Sequence, residues 1–306
     1  MNGIINVYKE KGYTSHDVVA RLRGILKTKK IGHTGTLDPD AVGVLPVCVG
    51  NATKVADILT DRDKEYICEM RLGVTTDTLD MTGKVLEECP QKTVLSLNEK
   101  DIEEAILSFT GEIMQIPPMY SALKVRGQKL CDLARKGVEI EREPRPVTIF
   151  SIEIESICLP IVKFKVLCSK GTYIRTLCDD IGKKLGVGAA MESLVRSRVG
   201  RFELSDARTL DEIEAYVSEH IDGFAHLDTL PLFIGVDDLF DYRKIYVSND
   251  RLLMNGNAVS SDDLDDPPAA AFDGEHFLVY DSKGSFKAIY EFSSRMRLFK
   301  PVKMFL

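Results

Sequence analysis

A chain of 306 residues, 44% hydrophobic and 28% charged, has the composition of a globular protein with room for one large domain and one small one. It contains no run of about 18 apolar residues, and "MNGIINVYKEKG" is too short an apolar segment for a signal peptide, so a cytoplasmic protein without membrane contact is expected. The net charge of −7 is segregated: residues 205–275 carry −13, whereas 1–54, 119–147 and 283–306 carry +4, +3 and +5, so basic surface remains available to a polyanion.

In chain order, "TSHDVVARLRGILK" reads as a helix capped by Thr14, with Asp17 completing a capping box. Val18, Val19, Leu22, Ile25 and Leu26 mark its buried face. The stretch Gly32–Gly43 reads as a structured loop without regular helix or strand. "VLPVCVG" is expected as a buried strand and "NATKVADIL" as the helix after it. "EYICEMRLG" alternates, placing Tyr66, Cys68, Met70 and Leu72 on one face of a strand. "NEKDIEEAILSFTG" predicts an amphipathic helix capped by Asn98 and ended by Gly111, with Ile102, Ala105, Ile106 and Phe109 aligned.

Further on, Val162, Phe164, Val166 and Cys168 mark a strand, Lys170-Gly171 a turn, and Ile174, Leu177, Cys178, Ile181 and Leu185 the buried face of a helix. Arg175 falls in the first turn of that helix, where the helix interior would not hide it. Residues 222–241 read as a connector. After them "KIYVS", "HFLVYD" and "FKAIYEF" read as strands of a small β-domain, interrupted by the acidic loop "SSDDLDDPPAAAFDGE". Without a strict βαβ rhythm the class is α+β. The seven cysteines form no CxxC pair and the five histidines no HxxxH pair, so reduced core thiols are expected and a metal site is not.

"GHTGTLDPDAVG" concentrates three glycines and a proline around one acid, Asp38. No Lys-Ser/Thr follows the glycines, so a Walker loop is excluded, and no carboxylate cluster suggests a metal pair. An Asp-Pro pair is most often a plain turn. A loop whose glycines permit unusual backbone and whose Pro39 freezes the next residue can also hold one carboxylate in a fixed pose, as a nucleophile requires. Both readings stand on these residues alone.

Five segments, in order, widen the pattern: "YKEKGYTSHDVV", "GHTGTLDPDAVGVLPVCVGNATK", "DKEYICEMRLGVTTDTLDMTGKV", "QIPPMYSALKVRGQKLCDLARKG" and "GTYIRTLCDDIGKKLGVGAAMESLVRSRVGRF". Together they resemble the blocks of the TruB family of tRNA pseudouridine synthases over most of residues 1–204. Departures from the family pattern are Glu10 in place of a proline, Asp40 in place of an apolar residue, Val42 in place of Thr or Ser, and Cys131 in place of a tyrosine.

The resemblance implies a pseudouridine-synthase fold, a central mixed and largely antiparallel sheet flanked by helices, over residues 1–240, followed by a small β-barrel-like PUA RNA-binding domain at 243–306. It implies isomerisation of uridine 55 in the T loop of tRNA by base flipping, with no metal or organic cofactor, no obligatory protein partner and a monomeric protein. Asp38 is then the essential acid, attacking C1′ of the ribose or C6 of the base or helping to remove a ribose proton. Arg175 is its ion-pair partner, keeping it ionised, and Tyr66 a stacking ring or acid–base group. His33 is expected to fill space left by the extruded nucleotide; Lys9, Lys124 and Arg126 to contact phosphates; and Gly35, Thr36, Tyr173 and Leu194 to line the RNA site. The alternative class is a tRNA-binding or tRNA-folding protein of the same fold without catalysis. A third reading, a guide-RNA-dependent relative with protein partners, would usually bring basic tails and a fuller PUA domain, neither of which is clear here.

Overall fold

The computed structural model describes residues 2–125, 127–220 and 232–306. Its first elements are β1 (Gly3–Lys9), α1 (Ser15–Ile25), β2 (Ile31–His33), β3 (Val42–Val49), α2 (Ala56–Thr60), β4 (Lys64–Leu72), β5 (Val74–Thr76) and β6 (Val85–Glu88). There follow α3 (Gln91–Leu95), α4 (Glu99–Leu107), β7 (Gly111–Gln115), β8 (Lys124–Val125), β9 (Gln128–Lys129), α5 (Leu130–Arg135), β10 (Arg145–Cys158), β11 (Ile161–Cys168), α6 (Ile174–Leu185), β12 (Ala189–Val199), β13 (Phe202–Glu203) and α7 (Leu210–His220). The last group is β14 (Arg243–Tyr246), α8 (Asp250–Met254), β15 (His276–Tyr280), β16 (Phe286–Ser293) and β17 (Leu298–Met304).

Nine strands share one sheet in the order β1-β3-β12-β4-β11-β10-β7, with β2 added to β3 and β13 to β12. All pairings are antiparallel except β12 with β3. The sheet is therefore mixed and the class α+β, as the irregular element order predicts. The strict alternation of β4 is realised: Tyr66, Cys68, Met70 and Leu72 are all buried, and β11 alternates likewise. These faces meet Ile174, Leu177, Cys178 and Ile181 of α6 and Ile102 and Ile106 of α4 in one core. Each such side chain taken fully from water contributes roughly 1.5–3 kcal/mol.

Helix α1 begins as its capping box requires, with Thr14 accepting from the Asp17 backbone and Asp17 from that of Thr14. Its apolar stripe packs with Leu210, Ile213 and Val217 of α7 over the β1–β3 end of the sheet.

Several boundaries differ from expectation. Gly32 and His33 belong to β2, and Val42 and Gly43 open β3, so the irregular loop is the shorter stretch 34–41. "NATKVADIL" starts as a 3-10 turn (Gly50–Val55) before becoming α2. Helix α4 stops at Leu107, and Gly111, with φ +105°, opens β7 rather than ending the helix. The connector is not bare: residues 221–231 lie outside the described residues, but Phe233, Val236, Leu239 and Phe240 are buried and Ile234 pairs with Ile4. Cys48, Cys68, Cys168 and Cys178 are core thiols as expected, whereas Cys158 is exposed and Cys89 and Cys131 are half-buried.

The C-terminal strands form an open sheet, β14-β15-β16-β17, rather than a closed barrel. Four strands are too few to close on themselves. Its edges are bridged instead by the isolated pairs Val247–Leu264 and Val259–Phe299. The sequence reading missed β17, where Pro301 and the basic residues broke the apolar pattern. One face of this sheet (Leu278, Tyr280, Ile289) joins Ile4, Val44 and Cys48 of the larger sheet, and Val55 of the turn after β3, in a shared core. Lys303 adds an ion pair to Asp57 at 2.7 Å across the same junction.

Candidate active site

Loop 34–41 is held at both ends by polar ties that its own composition makes possible. The backbone N–H and hydroxyl of Thr34 both donate to the Pro46 carbonyl at 3.1 Å. The Leu37 N–H donates to Ser15 Oγ at 2.9 Å, at the start of α1. The Pro39 carbonyl accepts from the Gly12 N–H and from Lys9 Nζ, each at 2.9 Å. Leu37 and Ala41 point into the core. With its neighbours anchored on both sides, Asp38 is left with one direction to face.

That direction is Arg175. Asp38 Oδ2 lies 2.9 Å from Arg175 Nε and Oδ1 accepts from Nη2 at 3.1 Å, a two-point pairing. Two further guanidinium donors are used as well: Nη1 donates to the Thr78 carbonyl at 3.0 Å and Nη2 to the Tyr120 carbonyl at 2.8 Å. Asp80 stands 3.7 Å from Nε. It is in turn held by the Thr78 and Thr82 hydroxyls at 2.7 and 2.5 Å, in a turn that puts Leu79 at φ +63°, a left-handed conformation that few leucines adopt. The Arg175 side chain is 6% exposed and that of Asp38 36%. Arg175 does sit in the first turn of α6, but the expectation of an open position is corrected: its guanidinium is enclosed by these partners, because α6 packs its N-terminal turn against the β5–β6 and 116–121 loops. The carboxylate is the accessible member of the pair.

Burial pushes the Asp38 carboxyl above the ordinary carboxylate value; Arg175 opposes this, Asp80 adds to it, and Lys9 opposes it. The two-point pairing and partial solvent contact serve the ionised form.

Tyr66 is buried in the core cluster that also holds Leu37, Ala41 and Leu194. Its phenol is pushed up to about 12 by burial, with Arg196 pulling it down and Asp38 adding to the rise. Leu194 lies opposite Cys68 on the β12–β4 pairing, so it is first a core residue. Tyr173 caps α6. Its backbone N–H donates to Gln115 Oε1 at 2.7 Å and its carbonyl accepts from Gln115 Nε2 at 3.0 Å. Thr36 is exposed and Gly35 half-buried, both within three residues of Asp38. His33 Nδ1 accepts from the Gly35 N–H at 3.3 Å and its ring meets His16 edge-on at 5.3 Å. Burial lowers its pKa to about 4, helped by His16 and Arg196, so it stays neutral.

Lys9 corrects an expectation. Its side chain is 0% exposed and its ammonium is bonded to the Glu10 and Pro39 carbonyls. It is a tie for the Asp38 loop and not a surface contact for phosphate, because β1 ends beneath that loop. Burial lowers it to about 8, opposed by Asp38 and Asp40. For Lys124 only the backbone, in β8, is described, and Arg126 lies outside the described residues. A cavity of about 570 Å³ lies behind the site, lined by Leu79, Met119, Tyr120, Thr176 and Asp179, and does not include Asp38.

Two site residues escaped the sequence reading. Asp80 lay inside a quoted block, but nothing local tied it to Arg175. Arg196 lay inside the last quoted block, but no local pattern sets it apart from Arg198 and Arg201 beside it. In the structure it is 1% exposed. Its Nε donates to the Val44 carbonyl at 2.7 Å, Nη1 to the Thr36 carbonyl at 3.4 Å and Nη2 to the Gly35 carbonyl at 3.3 Å, and its charge pulls down the phenol of Tyr66, its partner across the β12–β4 pairing.

Comparison with known proteins adds the following. Residues 23–174 match the model for the TruB family pseudouridylate synthase N-terminal domain, and residues 175–230 that for the tRNA pseudouridylate synthase B C-terminal domain. The sequence is 48% identical over 320 residues to tRNA pseudouridine synthase B of Lachnoclostridium phytofermentans, covering 100% of both chains. It is 46% identical over 314 residues to the protein of that name from Streptococcus gordonii, again covering 100% of both. With the Clostridium kluyveri protein of that name, identity is 48% over 265 residues, 86% of each. Among solved structures, a Cbf5-Nop10-Gar1 complex contains a chain similar at TM-score 0.69 and 28% identity, covering 99% of this chain and 85% of that one. An H/ACA RNP bound to a substrate RNA containing 2′-deoxyuridine contains another, at TM-score 0.66 and 26% identity, with coverage of 99% and 85%.

Proposed function

The chain belongs to the TruB family of tRNA pseudouridine synthases, and from that membership we infer that it isomerises uridine to pseudouridine at position 55 of tRNA. In that reaction the N1–C1′ bond of the nucleotide breaks, the uracil turns, and a C5–C1′ bond forms. N1 gains a proton and C5 loses one, so the atoms balance and no oxidant or energy source is consumed.

The observation that carries the assignment to this site is the Asp38–Arg175 pair. One carboxylate is gripped at both oxygens, 2.9 and 3.1 Å from a guanidinium, yet keeps 36% of its side chain open. A group so placed meets a reacting atom without reorganising. Asp38 is the essential acid of this reading and Arg175 its orienting partner. Tyr66, whose hydroxyl senses the Asp38 charge, is the acid–base group beside it. The uridine reaches these groups only if it is extruded from the T loop, at a cost of a few kcal/mol that is least for a loop nucleotide. Thr36, Gly35, His33 and Tyr173 are the RNA-contacting residues of this reading. The four-stranded C-terminal unit, at residues 243–306, acts as the PUA-like RNA-binding part, its basic segment 283–306 meeting phosphate. The protein works as a cytoplasmic monomer without an obligatory protein partner.

The test is incubation with unmodified tRNA followed by pseudouridine mapping at single-nucleotide resolution, with Asp38→Asn alongside. The expected result is modification at position 55 by the native protein and tRNA binding without product by the variant. Product formation by Asp38→Asn overturns the site, and absence of product with the native protein overturns the reaction.

A further inference from the structure

Arg196 is a buried cation whose polar partners are all neutral. Among the described residues no carboxylate lies within ion-pair distance of it; its donors go to three backbone carbonyls. Desolvating a guanidinium costs several kcal/mol, which neutral acceptors offset less well than a carboxylate would. A core that only needed filling would be served better by an apolar side chain. The partners say what is gained. Gly35 and Thr36 belong to the loop that presents Asp38, and Val44 to the strand that follows it.

The sheet is built to deliver this side chain. Arg196 lies directly opposite Tyr66 in the β12–β4 pairing and beside Gly43 in the parallel β12–β3 pairing. A register shift separates Arg196 from Arg198, as expected where a bulge re-aims a side chain. Gly43 holds φ +106°, and a Cβ there would run into the Arg196 carbonyl, so close approach of the two strands needs glycine at this point.

We propose that Arg196 is a positioning residue of the isomerisation, pinning the Gly35 and Thr36 carbonyls of the Asp38 loop to β12 directly opposite Tyr66 of β4, so that phenol and carboxylate meet the extruded uridine in one fixed relation. The proposal rests on the assignment of Asp38 and Tyr66 to the active site made above. It predicts that catalysis and not tRNA binding depends on the number and direction of the guanidinium donors.

The experiment compares native protein, Arg196→Lys and Asp38→Asn on unmodified tRNA, measuring kcat, KM and the pH profile of kcat. Lysine keeps the charge but cannot reach the Val44, Gly35 and Thr36 carbonyls together. Expected for Arg196→Lys is a fall in kcat on the order of 10²-fold, with KM within about threefold of native and the alkaline limb of the profile displaced. Native kcat and pH profile overturn the proposal, as does a loss confined to KM. Full activity in Asp38→Asn would instead overturn the active-site assignment itself. Should Arg196→Lys fail to fold, the question passes to Tyr66→Phe, read by ¹⁵N resonances of the slowly exchanging Arg196 guanidinium. A displaced resonance supports the fixed relation of guanidinium and phenol, and an unchanged one overturns it.

Discussion

Arg175 and Arg196 flank the same loop and are buried to nearly the same degree, but they are held in opposite ways. Arg175 shares its donors between carboxylates and carbonyls, and the carboxylate it grips is open to solvent. Arg196 has only neutral partners and is sealed between strands. The difference separates two tasks. A charge pair at the rim can respond to a reacting substrate, because its electrostatic balance changes when charge develops nearby. A cation satisfied by backbone carbonyls has nothing to exchange, and its value lies in fixing geometry.

The contrast breaks most sharply at Asp38. Asp38→Asn preserves the shape of the pair and removes its charge. Pseudouridine formation falls by at least about 10³-fold, while tRNA affinity in a filter-binding or fluorescence titration stays near native. Retained turnover would place the chemistry elsewhere.

Arg175→Gln comes next. It leaves Asp38 beside Asp80 without the intervening cation, and kcat falls on the order of 10²–10³-fold. The pH dependence carries a definite sign. Arg175 lowers the Asp38 pKa, so its loss raises that pKa further. The ionised fraction then appears only at higher pH, and the acid limb of the kcat/KM profile moves upward. A profile unmoved on the acid side contradicts the pairing.

On the Arg196 side, Gly43→Ala asks whether the sealed geometry tolerates a methyl group. A left-handed φ and a backbone collision predict destabilisation of about 1–3 kcal/mol, seen as a lower denaturant midpoint with unchanged m-value.

The smallest effect belongs to His33, which feels Arg196 at a distance. Its folded pKa of about 4 lies below the free value of 6.5, so the unfolded chain binds the proton more readily. The stability advantage of the neutral ring is complete above pH 6.5 and is lost as the pH falls toward 4. His33→Gln should flatten stability against pH in that window by on the order of 1 kcal/mol, measured by urea denaturation at several pH values. An equal slope in both proteins would mean that the ring is protonated in the fold.

What was legible in the sequence depended on local signals. The alternation of Tyr66, Cys68, Met70 and Leu72, the Thr14–Asp17 capping box and the stripe of α6 involve residues within a turn or two of one another, and each element formed where they indicated. Strand β12 gave no such signal, because register shifts at Met191–Ser193 and Arg196–Arg198 interrupt its period. The candidate pair was reached by resemblance, since Asp38 and Arg175 stand 137 residues apart and no periodicity connects them.

The sequence by itself determined the α+β class, the apolar faces and the backbone freedom of the loop around Asp38, because side-chain spacing and glycine or proline geometry act within a few residues. The tertiary structure decided that Lys9 turns inward beneath that loop, that Asp80 joins Arg175, and that Arg196, opposite Tyr66, joins β12 to Gly35 and Thr36. Those contacts follow from strand order and register, which bring distant segments within bonding range only once the sheet has assembled.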